Sequence, residues 1–225
     1  MDFEPYFEKY RSLVAQVDAV FKQVQEEYGQ CVACKVGCSD CCHALFDLTL
    51  IEAMFIKHQF DKAVPKEARQ AILEKANVAD RKVYKLKREA SKAHQEGKPE
   101  TEILEDMARQ RIRCPLLDEG EKCGMYEARP ITCRLYGIPT VIGGQAHTCG
   151  LSQFEEGKQY PTVKLDNIQR RLYEISFELA QEIKSRYPKL GEVLVPLSMA
   201  LLTDYNDEYL GIDGGGRNEA DGKEA

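Results

Sequence analysis

The sequence predicts a mainly α-helical fold, a bundle of helices enclosing a cysteine-rich region with short β-hairpins. Three observations carry that prediction. Apolar residues step by three and four over long stretches near both ends of the chain, the repeat of one helix face. Five cysteines fall within residues 31–42. Between residues 114 and 150 the apolar runs shorten, turn residues become frequent and four more cysteines appear.

Taken in order, Phe3, Phe7, Tyr10, Val14, Val17, Phe21, Val24 and Tyr28 place one stripe on a first helix, with Gly29 as its C-cap. The stripe reads as core rather than as a coiled-coil seam, because its polar neighbours form no consistent charge pattern. Thr49 and Glu52 make a capping box ahead of Leu50, Ile51, Ala53, Met54, Phe55 and Ile56, which predicts a short buried helix. A long helix is predicted from Pro65 toward Gly97 on the spacing of Ile72, Ala76, Ala79, Val83, Leu86 and Ala90. Arg81, Lys82, Lys85, Lys87, Arg88 and Lys92 gather around Tyr84 on it. A solvated helix face explains them, and the sharper alternative is a docking surface at 81–92 for a protein partner. Another helix is predicted over Glu102 to Ile112, ending ahead of Cys114-Pro115 because the residue before proline leaves the helical region.

In the middle region, Arg113 to Leu117 and Lys122 to Tyr126 flank Asp118-Glu119-Gly120-Glu121 as a hairpin. Thr140 to Ile142 and Gln145 to Thr148 flank Gly143-Gly144 as a second, tighter one. Between them Pro130 starts a short helix carrying Cys133 and Arg134. Helix returns with Leu165, Ile168, Leu172, Ile175, Leu179 and Ile183 on one face, followed by an apolar piece from Val193 to Leu202. Residues 1–210 thus read as one helical domain, sized for a single core. Residues 211–225, Gly-rich and polar, read as a disordered tail.

A net charge of −6 and a pI near 5.4 argue against nucleic acid or an anionic membrane as the main partner, since both need excess Lys and Arg. The start Met-Asp-Phe-Glu is acidic where a signal peptide is basic, and no 18-residue apolar run occurs. A cytoplasmic location is therefore expected. Thiols stay reduced there, which turns nine cysteines away from a disulfide framework and toward metal ligation.

The first group is Cys31-x2-Cys34-x3-Cys38-x2-Cys41-Cys42, and the second is Cys114, Cys123, Cys133 and Cys149. Spacings of two or three let paired thiolates turn toward one ion. Free cysteine also packs as a small hydrophobe, which suits an isolated Cys114 or Cys149. It does not suit a first group written with Lys35, Gly37, Ser39 and Asp40. Side chains of adjacent Cys41 and Cys42 diverge, so the two can serve separate sites. Gly37 favours a turn over a helix in this segment. His43 and His147 read as supporting groups beside the cysteines rather than as ligands. Cys34-x3-Cys38-x2-Cys41 is also the spacing of radical S-adenosylmethionine enzymes, but the repeated strand–helix units of their fold are not written here.

Cys34-Lys-Val-Gly-Cys38-Ser-Asp-Cys41-Cys42, then Cys114-Pro-Leu-Leu, Cys123-x2-Tyr126-Glu127-x-Arg129-Pro130-x2-Cys133-Arg134 and Cys149, resembles the YkgJ-like cysteine-cluster family of zinc- or iron-chelating domains. The resemblance spans residues 34 to 149. It implies one centre drawing on both groups, with Cys34, Cys38, Cys41, Cys42, Cys114, Cys123, Cys133 and Cys149 as metal ligands and Cys31 outside the pattern. The cysteine motif is also similar to one in flagellin lysine methylases.

Thiolates around a metal leave negative charge, and Arg129 and Arg134 are expected to face it as cofactor-binding groups. Eight thiolates exceed what one tetrahedral zinc needs. The expectation is a metal-binding protein holding an iron–sulfur cluster, of the [4Fe–4S] type, or zinc, with a redox or electron-transfer role. The alternatives are an enzyme whose open-site cluster acts on a substrate or S-adenosylmethionine, and a zinc-stabilised interaction module. No nucleophile–base set, phosphate loop or nucleotide fingerprint appears elsewhere in the sequence, so an enzymatic role would rest on the cluster. Folding of residues 114–150 is expected to depend on the metal, while the outer helices hold by their own apolar stripes.

Overall fold

The structure, a computed structural model, describes residues 1–212. It is mainly helical, with two small sheets among the described residues. Helix α1 (Glu4–Glu27) buries Phe7, Tyr10, Val17 and Val24 from its stripe. It ends at Tyr28, whose N–H returns to the Val24 carbonyl. Gly29 is not a left-handed cap. Its role is close approach, since a Cβ there would stand 2.8 Å from the Gln25 carbonyl oxygen.

Strand β1 (Asp47–Thr49) leads into α2 (Leu50–Ala63). The capping box forms as predicted: the Glu52 carboxylate accepts from the Thr49 N–H at 3.3 Å and from its hydroxyl at 3.2 Å. Helix α2 buries Leu50, Ile51, Ala53, Met54, Phe55, Ile56 and Phe60. Such all-round burial marks the central helix of a bundle. Helix α3 (Lys66–Gln95) buries only Ala76, Ala79 and Val83, and leaves Tyr84 68% exposed among its cations. Helix α4 (Glu100–Ala108) buries nothing.

The helix predicted to reach Ile112 therefore stops at Ala108. Its last residues pair with another segment instead. The Ile112 N–H donates to the His43 carbonyl at 3.0 Å, the Cys114 N–H to the Cys42 carbonyl at 2.7 Å, and Ala44 and Arg111 form a β-bridge. Backbone partners outside the helix outcompete the last helical turn.

The first predicted hairpin is reduced to a single bridge between Leu117 and Cys123. Asp118 turns it, its carboxylate accepting from the N–H groups of Gly120 and Lys122, each at 2.8 Å. Helix α5 (Ile131–Leu135) follows Pro130. Strands β2 (Thr140–Ile142) and β3 (Gln145–His147) form the second hairpin, with Gly143 and Gly144 at φ 55° and 81° as a two-residue primed turn needs. Strand β4 (Val163–Lys164) adds to β2 in parallel and leads into α6 (Leu165–Glu182). Strand β5 (Leu194–Pro196) pairs antiparallel with β1 and opens α7 (Leu197–Leu202). Both pairings join distant segments that show no local strand pattern.

Helix α8 (Asp207–Leu210) closes on Gly211 at φ 66°. The Ile212 N–H reaches the Asp207 carbonyl at 2.8 Å, and Ile212 packs on the core. These first two residues of the predicted tail are thus part of the fold, and 213–225 lie outside the described residues. One hydrophobic cluster joins α1, α2 and α6 to Leu116, Met125, Ala128, Ile131, Leu135 and Ile138. The region 114–150, expected to lack a core, is anchored in the common one through these short apolar pieces. No described helix is long and apolar enough to cross a membrane.

Candidate metal centre

Four backbone devices deliver the cysteines. Gly37, at φ 87°, completes a turn in which the Cys38 N–H donates to the Lys35 carbonyl at 2.9 Å. A 3₁₀ turn over Asp40–His43 presents Cys41 and Cys42. The Cys114 N–H on the Cys42 carbonyl fixes the second cysteine group against the first. Cys133 rides on α5, whose first N–H, at Ile131, donates to the buried Glu52 carboxylate at 3.2 Å. The carboxylate that caps α2 thus also seats the helix carrying Cys133.

Cys34, Cys38, Cys41, Cys42, Cys114, Cys123, Cys133 and Cys149 all line one cavity of about 580 Å³. The structure brings together every cysteine of the predicted set. Among the described residues, no three Cys, His, Asp or Glu side chains converge as ligands of a single ion. The sulfurs surround a volume rather than a point. Cys31 borders a neighbouring cavity of about 670 Å³ together with His43, while Cys34, Cys38 and Asp40 border both. The His43 Nδ1 lies 3.0 Å from the Ser39 carbonyl. His147 is exposed on β3 and borders neither cavity.

Burial raises the pKa of four of these thiols. It pushes Cys114 up to about 12 and Cys34 to about 11, the latter helped by Cys38, Cys41 and Cys149 nearby. Cys123 and Cys149 are raised for the same reason. Cys41 goes the other way, held at about 3 by hydrogen bonds from Cys133 and then Cys42. Those two donors are correspondingly pushed up, first by the bond to Cys41 and then by burial. The Cys149 thiol donates toward Asp40 Oδ2 at 3.6 Å, and its sulfur accepts from the Leu151 N–H at 3.4 Å.

The two arginines do different work. Arg129 stacks on the Tyr126 ring at 4.0 Å, and its buried Nε has no hydrogen-bond partner among the described residues. Its charge lowers the pKa of Cys34, Cys41 and Cys123. Arg134 borders the same cavity but is committed elsewhere. It forms an ion pair with Asp18 at 2.6 Å, donates through Nε to the Arg129 carbonyl at 2.9 Å, and holds the Glu127 carbonyl. Arg134 thus braces the turn that presents Arg129.

This donor set fits a thiophilic metal, with sulfurs around one space and a buried, unpartnered guanidinium N–H on a residue that borders it. Sequence reasoning passed over Asp18, Asp40, Glu52 and Gly137, whose missing Cβ leaves room for the Cys34 sulfur, as parts of this site. Asp40 was legible in principle, as the acid inside Cys38-Ser-Asp-Cys41. The others act across the fold and leave no local signature.

No curated protein and no solved structure matches the chain. A family model does match, the CxxCxxCC family, described as a zinc- or iron-chelating domain, over residues 30–150. With its cysteines gathered in one cavity and more than half its length matched, the chain belongs to the CxxCxxCC, or YkgJ-type, family of zinc- or iron-chelating domains.

Proposed function

We propose that the protein holds an iron–sulfur cluster of the [4Fe–4S] type through this cavity and works in electron transfer. The observation that supports this most is that eight cysteines share one cavity while, among the described residues, no three side chains converge as ligands of a single ion, an arrangement that suits a cluster of several irons better than one tetrahedral zinc. The four ligands, one thiolate per iron, would be drawn from Cys34, Cys38, Cys41, Cys42, Cys114, Cys123, Cys133 and Cys149. Such a cluster, when bound, supplies one-electron chemistry at a potential tuned by nearby charge and hydrogen bonds.

The chain's own residues have identifiable tasks. Cys41, whose pKa the neighbouring Cys133 and Cys42 thiols draw down, would give up its proton to a metal most readily. Arg129, with a buried and unpartnered Nε–H, would supply a positive donor to the cluster it borders, and Arg134 holds its backbone in place. The raised pKa of Cys34, Cys114, Cys123 and Cys149 keeps those thiols protonated and so limits their oxidation. Reduced thiols are required, which agrees with a cytoplasmic setting. An acidic redox partner would meet the exposed face of α3 carrying Arg81, Lys82, Lys85 and Arg88 beside Tyr84.

Anaerobic purification followed by iron, sulfide and zinc analysis with absorption spectroscopy tests the reading. Brown protein with iron and sulfide in equal amounts is the expected result. Colourless protein holding zinc stoichiometrically overturns it and makes the centre structural.

A further inference from the structure

The cysteine cavity has a second kind of wall. Phe46, Ala79, Val83, Ile112, Pro196 and Leu197 border the same 580 Å³. They come from the segment before β1, the middle of α3, the strand-like piece before Cys114 and the corner between β5 and α7. None of their side chains carries an atom that ligates a metal. A polar group at this wall, the Ser198 hydroxyl, is already engaged with Asp80 at 3.1 Å. Metal is drawn to the thiolates, so this wall faces whatever shares the space with it. The cavity as a whole, shared between the thiol side and this wall, lies within the roughly 300–1,000 Å³ of small-molecule sites. The exposed lining residues Val36 and Tyr126 mark the side open to solvent.

We propose that this wall is the binding site for a small organic molecule with an apolar body of aromatic size, seated beside the metal centre. The inference rests on the metal-centre reading and adds an occupant to it. A molecule held there lies against the sulfur-bound centre on one side and against α3 and α7 on the other. Its apolar body is matched by the wall, and a single coordinating or hydrogen-bonding group would face the centre and Arg129.

The test uses the full chain, purified without oxygen and loaded with metal, titrated with 1-anilinonaphthalene-8-sulfonate, whose fluorescence rises when its rings leave water. Saturable binding of one probe per chain is expected. Ala79→Leu and Leu197→Phe each add bulk to the wall and should weaken binding tenfold or more, with metal per chain and the helical circular-dichroism signal unchanged. Either variant suffices if the other fails to fold. Binding that never saturates, or that both variants leave unaltered, overturns the proposal. Metal per chain, measured on the same samples, reports separately on the metal-centre reading: absence of metal overturns that reading, whereas unaltered probe binding overturns this one.

Discussion

The sulfur of Cys34 lies directly against the α-carbon of Gly137, two residues past the end of α5, so closely that any Cβ at 137 would overlap it. The glycine is there for what it lacks. Gly137→Ala should turn the Cys34 sulfur out of its place while disturbing little else, since the nearest other atoms to such a Cβ are Cys34 Cβ at 3.5 Å and the Phe21 ring at 3.7 Å. Metal per chain should fall to the level of Cys34→Ser with circular dichroism unchanged. Full metal content in Gly137→Ala would show that Cys34 is not a ligand.

The two arginines should separate by readout. Arg129→Gln removes a buried, unpartnered donor that borders the cysteine cavity, and losses of such supporting groups typically cost 10–100-fold in metal affinity. Its melting temperature without metal should barely move. Arg134→Ala leaves Asp18 and two carbonyls without their donor, a loss of about 2–3 kcal/mol after allowing for the exposed Asp18 carboxylate. Denaturant melts of both metal-free variants, paired with metal titration, check the division.

Metal affinity should rise with pH. Thiols whose pKa is raised, among them Cys34 at about 11 and Cys114 at about 12, are protonated near neutrality and must release protons to become ligands. Each proton released on binding adds roughly a tenfold gain in apparent affinity per pH unit. Cys41, at about 3, adds nothing to that slope above pH 5. Competition with a chelator between pH 6.5 and 8.5 measures it; a flat profile would mean the ligands are already ionised.

Metal removal should expose the segment from Val32 to Ser39 before it exposes α5. That segment has no buried side chain, whereas Ile131, Leu135 and Ile138 are 2%, 1% and 1% exposed. Trypsin should cut at Lys35 in the metal-free protein while cleavage after Arg134 stays slow. Equal rates at both positions would place 114–150 under metal control after all.

Glu52→Gln should destabilise the protein by about 1–3 kcal/mol, because an amide cannot accept at both ends. One carboxylate oxygen takes the Thr49 donors and the other takes the Ile131 N–H. Burial raises the Glu52 pKa, and those three bonds oppose the rise. Thermal melts at neutral pH, with metal content recorded alongside, give the cost and show whether α5 shifts with it.

What the sequence made legible was what repeats locally. The stripes of α1, α3 and α6, the Thr49–Glu52 box and the Gly143-Gly144 turn each lie within a few residues of one another, and all appear. The cysteine cavity was legible through spacing and resemblance. The β1–β5 pairing was not, because it joins residues 47–49 to 194–196 by backbone bonds that any side chains could support. Helix α4 was drawn too long for a related reason: nothing near Arg109 announces that Ile112 and Cys114 have partners at His43 and Cys42. Arg134 was read as facing the metal because Asp18, its partner, lies on α1, more than a hundred residues earlier in the chain.

The bond from the Cys114 N–H to the Cys42 carbonyl has a consequence for biosynthesis. Chains are made N-terminus first at about 5–20 residues per second, and domains fold as units. The cysteines at 31–42 leave the ribosome well before Cys114 exists to meet Cys42, and more than a hundred residues before Cys149. For about 5–20 s of translation they are a thiol-rich segment without its other half. Metal captured then would sit on a partial set, and an oxidant would meet thiols not yet buried. Loading of the full set therefore waits for the finished chain, and the metal then enters through the side of the cavity that Val36 and Tyr126 leave open.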